Sequence, residues 1–73
     1  MKVKNVTDYK GRHCAELENG KYVLSNGSMG LILCEKVPEG MKVIKTDIVA
    51  GLMMKNEDDF KWAVENHKVF DEV

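Results

Sequence analysis

The chain has 73 residues, 44% of them apolar and 32% charged, and its 11 basic and 12 acidic side chains leave a formal charge of −1. That balance excludes the low-hydrophobicity composition of disordered chains and the composition of a membrane protein, and near-neutrality disfavours a nonspecific nucleic-acid binder, which must neutralise many phosphates. A single domain over 1–73 is expected, with a thin core, because a chain this short removes only roughly 60% of its unfolded surface from water.

The opening MKVKNVTDYK lacks the apolar stretch of a signal peptide, and no run approaches the ~18 apolar residues of a membrane span, so a cytoplasmic location is expected. In that compartment Cys14 and Cys34 are expected as free thiols. Val3 to Tyr9 reads as a first strand and Lys10-Gly11 as the turn after it. Arg12 to Leu17 alternates, with His13, Ala15 and Leu17 on one side and Arg12, Cys14 and Glu16 on the other. Asn19-Gly20 is the strongest hairpin signal, since a type I′ turn needs positive φ at both central residues and Asn and Gly tolerate it most cheaply. Tyr22 to Ser25 returns as a third strand, and Asn26-Gly27 marks another reversal.

Leu31 to Cys34 offers no polar face, so the fourth strand is expected to be central and covered on both sides. Val37-Pro38-Glu39-Gly40 suits a type I turn with Pro setting φ at its second position, and Met41 to Lys45 follows as a fifth strand. Thr46-Asp47 then fits the cap of a short helix over Ile48 to Met54. Asn56 is a good N-cap, and Glu57, Asp58 and Asp59 place negative charge at the positive end of the dipole of a helix expected to reach Val73. Phe60, Ala63, Val64, His67 and Phe70 share one arc of that helix. Turn signals at short intervals followed by one long helix predict an α+β fold, an antiparallel meander of about five short strands, open or rolled into a small barrel, packed by the C-terminal helix.

The helix also carries a second apolar stripe. At about 100° per residue, Trp62, Val69 and Val73 lie roughly opposite Phe60, with Asp58, Glu65 and Glu72 along one border and Asn66 on the other. An aromatic anchor inside an acidic edge has the make-up of a protein interface and would suit a basic partner, or a second copy across a two-fold axis. The bland alternative folds another segment over this side and makes Trp62 core.

Asn26, Gly27, Ser28 and Gly30, with Arg12 nearby, could cradle a phosphate or nucleotide, but no GxxxxGK[ST] motif is present and no helix follows directly. Cys14, Cys34, His13 and His67 are the available nucleophiles, bases and zinc ligands, and only Cys34 with His67 could converge, if both face the sheet-helix interior. Lys2, Lys4, Lys10, Arg12 and Lys21 would supply the basic stripe of a nucleic-acid-binding barrel. The expectation is a non-enzymatic protein-binding module, of adaptor or inhibitor type and, judged from its size, of phage or mobile-element origin, without cofactor or metal. A small-ligand site in the Asn26 to Gly30 loop and nucleic-acid binding are the rivals.

Overall fold

The computed structural model describes residues 2–27, 29–48 and 55–67. Five strands, β1 (Val3–Tyr9), β2 (Arg12–Leu17), β3 (Tyr22–Asn26), β4 (Gly30–Val37) and β5 (Gly40–Ile48), precede one helix, α1 (Glu57–Asn66). The strands pair antiparallel in chain order, so the fold is an α+β meander with β1 and β5 at its edges. The sheet does not close into a barrel. It coils instead. A β-bulge between Val3 and Asn5 of β1, and another where Leu33 and Cys34 face Lys45 and Val43, bend the two edge strands. Diagonally opposite corners then approach, and a Cβ at Gly40 would lie 3.3 Å from the Tyr9 hydroxyl.

Strand alternation divides the core in two. On the helix side Ala15, Leu17, Val23, Leu31 and Leu33 meet Phe60, Ala63 and Val64, and His13 stacks on Phe60 with ring centroids 5.5 Å apart. On the other side Cys14, Leu24 and Cys34 are buried with Tyr9, Tyr22, Ile32 and Met41 around them. Hence β4 is apolar on both faces, as its run of four hydrophobic residues requires.

The turns follow local chemistry with one reversal of expectation. Type I′ geometry occurs at Lys10 (φ 52°) and Gly11 (φ 82°), not at Asn19-Gly20. There only Gly20 has positive φ, its amide donates to the Leu17 carbonyl at 3.1 Å, and the Asn19 side chain accepts from Lys21 N at 2.9 Å. Four residues separate β2 from β3, one turn plus a left-handed glycine, and this longer loop leaves Asn19 in an ordinary conformation. Lys10 is therefore a poor residue in a demanding position. Lys10→Asn is expected to stabilise the protein by about 0.5 kcal/mol, the relief of left-handed strain less the contact of its ammonium with the Tyr9 ring at 5.4 Å. A fall in the urea midpoint would contradict this.

Two expectations about element boundaries are corrected. Thr46 and Asp47 do not cap a helix but extend β5, because Thr46, Asp47 and Ile48 pair with Ile32, Leu31 and Gly30 and satisfy their backbone groups in the sheet. The rest of the expected 48–54 helix lies outside the described residues. At the other end α1 stops at Asn66, short of Val73. His67 turns away at φ −92°, ψ 90°, its ring Nε2 lies 3.1 Å from Asp47 Oδ2, and Asn66 Nδ2 donates to the Trp62 carbonyl at 2.8 Å. A side-chain bond to a carbonyl one turn back competes with the backbone ladder of the helix.

Candidate functional site

α1 begins where its sequence says it should. The Asn56 side chain accepts from Asp59 N at 2.9 Å, which satisfies one orphan amide of the first turn, and Asp59 Oδ2 accepts in return from Lys55 N, just before the cap, at 3.2 Å. The cap and the anchoring of Phe60, Ala63 and Val64 set the rotation of the helix. That rotation turns Trp62 outward, and it remains 58% exposed. Asp58, at i−4, and Glu65, at i+3, are exposed beside it, and Asn66 borders the far side. Val69, Glu72 and Val73, the other members expected on this stripe, lie outside the described residues, as does Phe70.

The hairpin between β3 and β4 forms one end of an open groove of about 560 Å³ lined by Asn26, Met29, Gly30, Thr46, Asp47 and Ile48. Of the residues singled out for a phosphate loop, Asn26 and Gly30 reach this groove, while Gly27 holds the turn at φ 70°. Ser28 lies outside the described residues. Arg12 does not line the groove, and its guanidinium donates to the Ser25 carbonyl at 3.2 Å. Asp47 brings a carboxylate, which opposes a phosphate by like charge. The amide of Ile48, donating to Oδ1 at 2.8 Å, holds that carboxyl below its ordinary value, with desolvation opposing and His67 and Lys45 assisting.

Asp47 therefore contributes stability that is complete above its ordinary value of 3.8 and is lost as pH falls through its lower folded value. Asp47→Asn keeps the acceptor for Ile48 but removes the titration. Its thermal midpoint is expected to fall less steeply than that of the parent below pH 3.8, and parallel profiles would refute the assignment.

The thiol chemistry does not assemble. Cys14 and Cys34 belong to the core on the helix-free face, whereas His13 and His67 belong to the helix side, so the sheet itself separates them. The convergence expected of Cys34 with His67 is thus overturned by strand parity, since Cys34 alternates with the helix-facing Leu33. Burial pushes both thiols up, away from the thiolate, and among the described residues no group of three or more metal-binding side chains could hold an ion.

Three of the five basic residues singled out in the first strands make local contacts. Lys4 Nζ lies 3.9 Å from Glu16, Lys10 lies over the Tyr9 ring, and Arg12 is held by Ser25.

The contact of His67 with Asp47 had no signal in the sequence, because it joins residues 20 apart in the chain. Val43 and Ile48, 56% and 65% exposed on the helix-free face, were also missed; β-branched residues read as core when the strand's parity is unknown. No helix among the described residues is long and apolar enough to cross a membrane. Comparison of the chain with protein-family models, with curated proteins and with solved structures finds no match.

Proposed function

We propose that this chain is a small non-enzymatic protein-binding module that occupies the surface of another macromolecule through the outward face of α1. The observation that carries the reading is the 58% exposure of Trp62 on a helix whose opposite face, Phe60, Ala63 and Val64, is sealed in the core. A large aromatic ring contributes more binding energy per residue than most side chains once a partner desolvates it, and tryptophan is enriched among interface hot spots. The surrounding carboxylates supply the polar rim. An adaptor or inhibitor works in this way, by occupying a site rather than by chemistry. The two cysteines, buried and free, suit a reducing compartment such as the cytoplasm.

Trp62→Ala tests the reading. An exposed side chain removed from a helix is expected to change stability by less than about 0.5 kcal/mol, whereas an interface anchor removed from a complex costs about 2 kcal/mol or more, some thirtyfold in affinity. Urea unfolding and sedimentation with the partner or with itself give both numbers. Global unfolding of the variant, or association undiminished by it, would sink the proposal.

A further inference from the structure

Resting on that reading of the Trp62 face, we infer that its occupant is a basic segment of another protein, which lays an arginine or lysine over the indole between Asp58 and Glu65, and is not a second copy of this chain. The first observation is the division of charge. α1 carries four carboxylates, Glu57, Asp58, Asp59 and Glu65, against the single Lys61, a net −3 within a chain whose total is −1, so the remainder is +2. Two copies joined through this face would set one acidic helix against another, and like charges brought together at an interface oppose association. A cationic segment meets the opposite situation.

The second observation is placement. Asp58 and Glu65 stand seven residues apart, two helical turns or about 10 Å along the axis, both on the same side of the Trp62 stripe. A cation seated on the indole face is drawn by the ring and has a carboxylate toward either end of the stripe. Cations at i and i+7 of a helical segment, about 10 Å apart, would reach both carboxylates, and a third at i+3 or i+4 on the same face would lie over the ring.

Trp62 is the only tryptophan in the chain, so its fluorescence reports the site directly. An arginine-rich peptide, acetylated and amidated at its ends, is titrated into the whole protein at low salt beside the same peptide with citrulline, a neutral isostere, in place of arginine. The arginine peptide is expected to perturb the emission saturably. Asp58→Asn with Glu65→Gln is expected to weaken it about tenfold, the worth of two exposed ion pairs, and Trp62→Leu about fivefold by calorimetry. Circular dichroism of each variant establishes that the helix is retained. Equal binding of the two peptides, or no binding of the arginine peptide at millimolar concentration, overturns the inference. A dimer that Trp62→Ala dissociates also overturns it, while leaving the contact-surface reading intact. Arginine-selective binding undiminished by Trp62→Leu overturns both.

Discussion

Phe60→Ala is expected to destabilise the protein by about 3–5 kcal/mol, the largest loss available from a single side chain here. Phe60 is fully buried, lies in the core with Leu17, Leu31 and Leu33, and stacks on His13. It is also the largest side chain by which α1 holds the sheet, beside the much smaller Ala63 and Val64. A domain of this length has a total stability of roughly 4–11 kcal/mol, so the change removes about a quarter of it or more. The surrounding residues are held by strand pairing and cannot collapse into the space, which adds a cavity penalty to the lost transfer energy. Urea unfolding followed by circular dichroism should show a large drop in midpoint with little change in slope. Phe60→Leu, which keeps most of the volume, is expected to cost under about 1.5 kcal/mol. If the two variants unfold at the same midpoint, the helix is not seated as described.

Gly30→Ala is the second large effect, and its cause is space. A Cβ at Gly30 would run into the backbone oxygen of Asn26 and lie 2.9 Å from its Cβ, at the pair that closes the hairpin between β3 and β4. Backbone must move to admit the methyl group, and the strands behind it carry Leu24, Leu31 and Leu33 into both cores. The expected cost is about 2 kcal/mol or more. Gly27→Ala makes the contrast, because Gly27 has open space around it and needs only its φ of 70°. Strain of that kind costs about 1 kcal/mol. Removing the Asn26 side chain should not rescue Gly30→Ala, since the nearest obstacle is the carbonyl. Midpoints that rank Gly27→Ala below Gly30→Ala would show that conformation, not approach distance, governs this turn.

The candidate surface was legible to the extent that it depends on one helix. The capping by Asn56 and the stripe of Phe60, Ala63 and Val64 are set by periodicity, and once the buried arc is known the direction of Trp62 follows. That Trp62 would remain uncovered among the described residues was not legible, because coverage depends on what the rest of the chain places beside it. The placement of Arg12 away from the groove has a related reason. Arg12 looks available in the sequence, but the register of β2 against β3 delivers its guanidinium to the Ser25 carbonyl.

Residue order alone sets the things that depend on neighbours within a few residues: five strand segments, the reversals at Lys10-Gly11 and Pro38-Glu39, the start of α1 and the charge it carries. These rest on φ preferences, side-chain periods of 2.0 and 3.6 residues, and caps, all of which act over one or two turns. Long-range packing is what establishes that the sheet coils without closing, that Asp47 and Ile48 belong to β5, that His67 leaves the helix to meet Asp47, and that the thiols and imidazoles lie on opposite faces. Each of these is a contact between residues remote in the chain. Its free energy depends on strand register and on which bulge bends which edge, and a shift of one residue would turn every side chain of a strand to the other face.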